Sequence, residues 1–220
     1  MAQYFTDFSE YSIGSFPSDW NTEYSEGGAS VISEATATGG TELDSSPFFS
    51  GEYAISWSIA GNVQSEPVQI YSRLKSPGNW ANVRVALCGS GDEFNRNSYE
   101  LRVISSGPSI IRYVNDSFSN IASASSQVSG LDNNQYYHFR FEKDGSTLRA
   151  KLWQGTAEPY WQVTATDTLH SSGWVGIHTR NRDNGFYDVF SVGTAGDPAP
   201  TSPVTSSIPA APTGLTLTEL

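Results

Sequence analysis

Several features that define whole classes of proteins are scarce or missing in this 220-residue sequence. A single cysteine, Cys88, excludes an intramolecular disulfide framework and a zinc site built from cysteines. No apolar run approaches the roughly 20 residues that a membrane-spanning helix needs. Lysine is nearly missing, with three residues against nine arginines. Charged residues make up only 16% of the chain, and this shortage of helix formers disfavours a helical bundle.

Two further shortages bear on partners and location. The chain has 12 basic residues against 23 acidic ones, a net charge of −11, which argues against a protein that neutralises nucleic-acid phosphates. Residues 1–8 contain neither the basic nor the apolar region of a classical signal peptide. We therefore expect the protein to stay where it is made, or to leave by lysis, by another export route, or as a part cut from a longer protein.

The residues that are abundant favour an all-β domain. Ser and Thr number 50, Gly and Pro 31, and aromatic residues make up 13% of the chain. Apolar and polar residues alternate with the period of a strand in eight segments, separated by clusters of Gly, Pro, Asn and Asp. These segments are residues 53–59, 81–87, 99–104, 137–142, 148–153, 161–165, 175–179 and 186–192. So many strands predict two packed antiparallel sheets, a β-sandwich or jelly roll.

Turn chemistry and composition set the expected boundaries. Asp144-Gly145 lies between two alternating runs and predicts a type I′ hairpin, whose two central residues both need a positive φ. Residues 196–220 are rich in Pro, Ser and Thr and cannot form a packed core alone. We therefore predict a sandwich over residues 1–195 and a linker or attachment tail over 196–220. The prolines of this tail are Pro198, Pro200, Pro203, Pro209 and Pro212.

Three segments resemble the concanavalin A-like jelly rolls, the superfamily that includes laminin G modules. Residues 7–20 read DFSEYSIGSFPSDW, residues 137–153 read YHFRFEKDGSTLRAKLW, and the ending combines GWVGI at 173–177 with FYDVFSVG at 186–193. Their order and spacing cover the whole body, so the resemblance implies the fold. It specifies function far less, because this superfamily holds lectins, glycan-binding appendages, glycosidases and virion proteins.

The tail carries a second resemblance. Residues 209–218, PAAPTGLTLT, are similar to the first strand of a fibronectin type III module. Such a strand could pair with a neighbouring protein by strand addition, and the alternative is a floppy end. We therefore expect the tail to join the domain to other proteins or to copies of itself, which makes a homo-oligomer the expected state.

The sequence offers little for catalysis or metal binding. Jelly-roll glucanases place two carboxylates on one strand, near E-x-D-x-x-E, and that motif is absent. The adjacent Asp92 and Glu93 would point to opposite faces of a strand. The resemblance implies that Asp7 and Asp188 lie on neighbouring strands, where some relatives hold a structural calcium. The alternative is that these two acids cap turns or pair with arginines. No other cofactor is expected.

Glycan binding fits the composition better, because sugars stack on aromatic rings and hydrogen-bond to Asp, Asn and Arg. The loop around residues 88–98 and the loop at 180–185 carry such groups, with ordinary solvated turns as the alternative. Trp80 could be either a stacking platform or a core plug. The candidate ligand-binding residues are Trp80, Asp92, Glu93, Asn95, Arg96, Arg180, Arg182, Asp183 and Asn184.

Taken together, these features favour a non-enzymatic structural and adhesive virion protein of a bacteriophage, such as a tail, fibre or capsid-decoration component. The expected location is the virion surface, with an extracellular alternative, and a cell-surface glycan is a further expected partner. Neither nucleic acid binding nor membrane insertion is expected. The first alternative is a carbohydrate-binding module of a bacterial surface or secreted protein. The second is a glycoside hydrolase-like enzyme.

Overall fold

The computed structural model describes residues 3–25, 31–34, 41–44, 52–57, 67–76, 78, 80, 83–92, 94–104, 107–124, 131–180 and 185–203. Within these residues the chain forms fifteen strands. They are β1 (Gln3–Thr6), β2 (Trp20–Ser25), β3 (Val31–Glu34), β4 (Thr41–Asp44), β5 (Glu52–Trp57), β6 (Val68–Lys75), β7 (Val83–Ser90), β8 (Asn97–Ile104), β9 (Gly107–Val114), β10 (Ser117–Ser123), β11 (Tyr137–Asp144), β12 (Thr147–Trp153), β13 (Val163–Thr166), β14 (Trp174–Arg180) and β15 (Phe186–Thr194). None of the described residues belongs to a helix long and apolar enough to cross a membrane.

The strands form two antiparallel sheets. Sheet A has the order β13-β12-β11-β6-β15-β4-β3, with β1 also pairing with β15. Sheet B has the order β10-β9-β8-β7-β14-β5-β2. All described strand pairs are antiparallel. The prediction of an all-β antiparallel sandwich is therefore confirmed.

The core lies between the inner faces of the two sheets, because alternate side chains of a strand point to opposite faces. In β11 the buried aromatic residues Tyr137, Phe139 and Phe141 belong to this core. In sheet B, Val83, Val85 and Leu87 of β7 do the same. The intervening residues of each strand lie on the outer faces, where the ion pairs and side-chain hydrogen bonds described below are found.

The segment at residues 7–20 closes one part of this core with aromatic rings. Phe8 and Trp20 are buried, with ring centroids 6.1 Å apart. Trp20 also packs edge-on against Phe190 of β15, at 4.9 Å. Its indole nitrogen donates a hydrogen bond to the Tyr4 hydroxyl, at 3.0 Å. The first and last of the three recognised segments are thus joined through one aromatic cluster.

Trp80 is a core residue, which corrects its inclusion among the candidate ligand-binding residues. Only 7% of its surface is exposed. Its ring meets Tyr137 edge-on at 5.3 Å and lies 6.3 Å from Phe139. A ring held this way between core aromatics offers no open face on which a sugar could stack.

The hairpin predicted at Asp144-Gly145 has a different turn type, and a turn with two positive φ values occurs in another hairpin. In the β11–β12 hairpin Asp144 pairs with Thr147, so the central residues are Gly145 and Ser146. Only Gly145 has a positive φ, of 54°, which corresponds to a type II′ turn. Two central residues with positive φ occur instead between β9 and β10, at Asn115 (46°) and Asp116 (63°).

The start of the predicted tail is packed against the outer face of sheet A. Ala199 is buried, its amide donates to Gln69 at 3.0 Å, and its carbonyl accepts from Arg140 at 3.0 Å. A Cβ on Gly193 would lie only 2.2 Å from the Asp197 carbonyl oxygen, so a glycine permits this close approach. The folded body therefore extends to about residue 200, beyond the predicted boundary at 195. Pro198, Pro200 and Pro203 are described, whereas Pro209 and Pro212 lie outside the described residues.

Candidate functional site

A buried group of polar side chains lies on the outer face of sheet B. Strand register places Arg84 of β7 opposite His178 of β14, with Glu100 of β8 and Tyr113 of β9 on the same face. All four side chains are buried. The outer face of an antiparallel sheet is normally solvated, so a buried charged group there distinguishes this face. We call these four residues, together with Arg96, the buried network.

Glu100 is at the centre of the buried network. Its Oε2 accepts hydrogen bonds from Arg84 Nη1 and His178 Nδ1, each at 3.0 Å, and its Oε1 accepts from the Ser98 hydroxyl at 2.9 Å. Arg84 Nη1 also donates to the Tyr113 hydroxyl at 2.9 Å. Both carboxylate oxygens are thereby satisfied, as a buried charge requires.

Arg96 covers the buried network from the loop between β7 and β8. Its guanidinium lies 3.5 Å from the centroid of the Tyr113 ring, and its Nη2 donates to Asp116 at 2.9 Å. Its Nη1 lies 2.9 Å from His178 Nε2. Because an arginine can only donate, Nε2 must accept and Nδ1 carries the proton that His178 donates to Glu100. Arg96 is fully buried, so it supports the surface and does not meet a ligand from solvent. This corrects its prediction as a ligand-binding residue.

Electrostatic interactions keep the Glu100 carboxyl group charged. Burial alone would raise the pKa of the Glu100 carboxyl, but interactions with His178, Arg84 and Arg96 outweigh it and hold the pKa well below its usual range. Burial also raises the pKa of the Tyr113 hydroxyl. Glu100 is therefore a carboxylate and Tyr113 a neutral hydroxyl near neutral pH.

The local backbone positions Arg96 and Asp116. Asp92 Oδ1 accepts from the backbone amides of Phe94 and Asn95, at 2.9 and 3.0 Å, which fixes the loop that precedes Arg96. The amide of Asp116 donates to the Arg96 carbonyl at 2.9 Å. The Asn115-Asp116 turn is therefore bonded to this loop through main chain and side chain.

An exposed rim borders the buried network at the sheet edge formed by β8, β9 and β10. Phe118 is 52% exposed, its ring is 5.9 Å from Tyr113, and the Arg102 guanidinium lies 5.3 Å from its centroid. Beside them, Ser109 donates to Asn120 at 2.8 Å, and Asn120 donates to Ser123 at 2.7 Å. We call Arg102, Phe118, Asn120 and Ser123, together with the buried Ser109 that supports Asn120, the β10 rim.

Sequence reasoning missed the β10 rim and most of the buried network. The alternation in Ser117–Ser123, with Phe118 and Asn120 two positions apart, was the available signal. It was weak because the strand is mostly polar and carries a bulge between Asn120 and Ala122. The partners of Glu100 come from strands far apart in sequence, and only the strand order brings them together.

The two predicted ligand loops leave from opposite ends of sheet B. Gly89 of β7 pairs with Trp174, whereas Val83 pairs with Thr179 at the other end of β14. Strands of this length span roughly 20 Å. Asp92 and Asn95 are exposed, on the loop that follows β7, and Arg180 ends β14 at the far side. Glu93, Arg182, Asp183 and Asn184 lie outside the described residues.

The two acids predicted for calcium have protein partners. Asp7 Oδ1 accepts from the backbone amide and hydroxyl of Ser9, at 3.1 and 2.6 Å, and so caps a turn. Asp188 is buried and forms an ion pair with Arg73. In the part of the chain that the structure describes, no group of three or more His, Cys, Asp or Glu side chains could hold a metal ion. These contacts match the alternative of turn capping and arginine pairing.

Comparisons with known proteins identify relatives in fold only. No protein-family model matches the sequence, and no curated protein matches it. Among solved structures, the carbohydrate binding module CBM66 from Bacillus subtilis is similar with a TM-score of 0.54 at 17% identity, over 77% of this chain and 91% of that one. The exoplasmic/lumenal domain of VIP36 in its Ca2+/Man2-bound form has a TM-score of 0.57 at 11% identity, over 87% of each chain.

An enzyme is also among the similar structures. Xylan β-1,4-xylosidase from Bacillus halodurans C-125 has a TM-score of 0.54 at 14% identity, over 86% of this chain but only 38% of that one. All three likenesses are below 25% identity and show the fold alone. The two-sheet sandwich is therefore a jelly roll of the concanavalin A-like type, as the sequence motifs predicted.

Proposed function

We propose that this domain is a glycan-binding module whose site is the β10 rim. The observation that carries the proposal is an exposed aromatic ring, Phe118, beside a cation and hydrogen-bonding side chains. Sugars present apolar ring faces and hydroxyl rims, and such a surface can meet both. The fold supports the proposal, since the similar structures include a carbohydrate binding module and a domain in a mannose-bound form.

The buried network supports this role by making the surface rigid. Tyr113 is held in place by the buried network. Arg84 donates to its hydroxyl, and its ring packs edge-on against His178, which is itself hydrogen-bonded to Glu100. The ring of Tyr113 in turn contacts Phe118. A side chain that is already ordered loses little conformational entropy when a ligand binds. The rim is therefore preorganised for a ligand.

Binding fits these residues better than hydrolysis. Glycoside hydrolysis requires two carboxylates placed across a scissile bond. Near the β10 rim, Glu100 is buried and engaged by Arg84 and His178, and Asp116 is paired with Arg96. Both acids thus act within the protein's own ion pairs, as a scaffold for the surface.

The experiment is a glycan array probed with the purified protein, followed by titration calorimetry with the strongest binder. We expect Phe118→Ala to weaken binding at least about tenfold, because loss of a stacking ring removes roughly 1.5 kcal/mol or more. The matched control is Tyr160→Ala, which removes an aromatic ring that is 96% exposed, on the segment after β12. Equal affinity of Phe118→Ala and the wild type would refute the site. A loss confined to Tyr160→Ala would place the site next to sheet A instead.

The virion role stays a prediction. It rests on composition, on the expected location and on the tail, and the comparisons with known proteins do not bear on it. A glycan-binding jelly roll is compatible with a virion surface and with a bacterial surface or secreted protein.

A further inference from the structure

Arg102 differs from the other arginines of the outer face of sheet B. Arg84 pairs with Glu100, and Arg96 pairs with Asp116. Arg102 forms no ion pair with any described residue; its Nε is buried without a hydrogen-bond partner there, as is the Nε of Arg96, so the missing ion pair is what distinguishes it. Its guanidinium instead lies over the aromatic ring of Phe118. Because Arg102 is half-buried and no described carboxylate pairs with it, the exposed part of its guanidinium is free to pair with an anionic ligand.

The charges around Arg102 also favour an anionic ligand. Among the described residues, the buried network, the β10 rim and Asp116, the partner of Arg96, hold three guanidinium groups, on Arg84, Arg96 and Arg102, against two carboxylates, on Glu100 and Asp116. This leaves one positive charge in excess, on a protein whose net charge is −11. Burial lowers the pKa of Arg102, and the neighbouring Arg84 lowers it further, which together outweigh the opposite effect of Tyr113 and Glu100. An anion at this position would relieve that repulsion.

We infer that the β10 rim binds an acidic sugar, with the carboxylate of the sugar paired to Arg102 and its ring stacked on Phe118. A planar guanidinium matches a carboxylate through two parallel hydrogen bonds. Asn120 and Ser123 adjoin Arg102 on the same face and are suited to sugar hydroxyls, while the buried Ser109 holds the Asn120 side chain in place. The inference rests on the proposed function and names its ligand class.

The test compares an acidic oligosaccharide with its own neutral form. The probes are an oligosaccharide of glucuronic acid units, one of galacturonic acid units, and the carboxyl-reduced product of each, which differs only in the loss of the carboxylates. Calorimetric titration should show at least about tenfold tighter binding of one acidic form than of its reduced product. Arg102→Gln should abolish that preference, and Arg102→Lys should retain part of it.

The matched control is Arg149→Gln. It removes the same charge from the outer face of sheet A, where Arg149 pairs with Glu142. It should leave the preference for the acidic form intact. If Arg149→Gln reduces the preference as much as Arg102→Gln does, the effect is one of overall charge and the inference falls.

Stability gives a readout that separates a binding role from a structural one. Because Arg102 has no described ion partner and lies beside Arg84, Arg102→Gln should unfold at the same temperature as the wild type or higher. A large fall in melting temperature would make Arg102 structural and overturn the inference. Equal binding of acidic and reduced forms would overturn the acidic-sugar assignment and leave the proposed function standing. If the protein binds neither the acidic nor the reduced oligosaccharides, and no glycan on the array, then both the acidic-sugar assignment and the proposed function are overturned.

Discussion

At the scale of single residues, the buried carboxylate of Glu100 makes stability depend on pH. Its pKa in the folded protein lies below the value of about 4.5 expected for an unfolded chain. Below that pH the unfolded state binds more protons than the folded state, so the free energy of unfolding falls as the pH falls. The contribution of Glu100 is fully present at neutral pH and is lost progressively below about pH 4.5.

We therefore expect Glu100→Gln to lower the free energy of unfolding at pH 7 by about 3 kcal/mol, because it leaves Arg84 buried without its counter-charge. The free energy of unfolding of the variant should also fall less steeply than that of the wild type as the pH is lowered. Urea unfolding at pH 7 and pH 3.5 measures both effects. Glu158→Gln is the control, since Glu158 is a half-exposed partner of Arg140 and should cost much less. Parallel pH profiles of wild type and Glu100→Gln would contradict this account.

The residues that sequence reasoning placed well were those with local signals. Turn capping was one of the two expectations for Asp7, and its Oδ1 accepts from the amide of Ser9, two residues further on. Trp80 and Arg96 were misplaced because each lies in a polar, Gly- or Pro-containing segment that resembles an exposed loop. Contacts with residues distant in sequence, such as Tyr137 on Trp80 and Tyr113 on Arg96, bury these two side chains.

At the scale of elements, strands were predictable where alternation was regular. The runs at 137–142 and 148–153 became β11 and β12, with their apolar residues in the core. β6 was missed because it is buried on both faces: Gln69 and Tyr71 on the outer face are covered as well, so the sequence VQIYSRLK does not alternate clearly. β9 and β10 were missed because their polar and apolar residues do not follow the inward and outward pattern.

The segment at 197–200 is a small element that no periodicity could reveal, and it carries a testable contribution. Ending the chain after residue 195 should lower the free energy of unfolding by about 3 kcal/mol. It removes buried Ala199, its hydrogen bond to Gln69, and the hydrogen bonds that Arg140 and Ser191 donate to this segment, at roughly 1 kcal/mol each. Ending it after residue 203 keeps all these contacts and is the control. Urea unfolding that gives equal stability for both truncated chains would show that the segment does not stabilise the body.

At the scale of the whole molecule, the predicted attachment role of the tail can be tested without disturbing the sandwich. A chain of residues 1–203 keeps every described contact of the body. If the tail joins copies of the protein, light scattering should give a defined oligomer for residues 1–220 and a monomer for 1–203. A monomeric full chain, or an oligomer of unchanged mass after truncation, would remove self-association from the roles of the tail.

The position of residues 197–200 also sets how the domain would be displayed. They lie on the outer face of sheet A, and the β10 rim lies on the outer face of sheet B, on the opposite side of the sandwich. A support that met the domain on the outer face of sheet A would leave the rim, on the opposite face, turned toward solvent. Several copies carried side by side on one support would then present their rims in the same direction, which favours avidity for a surface covered with repeated sugars.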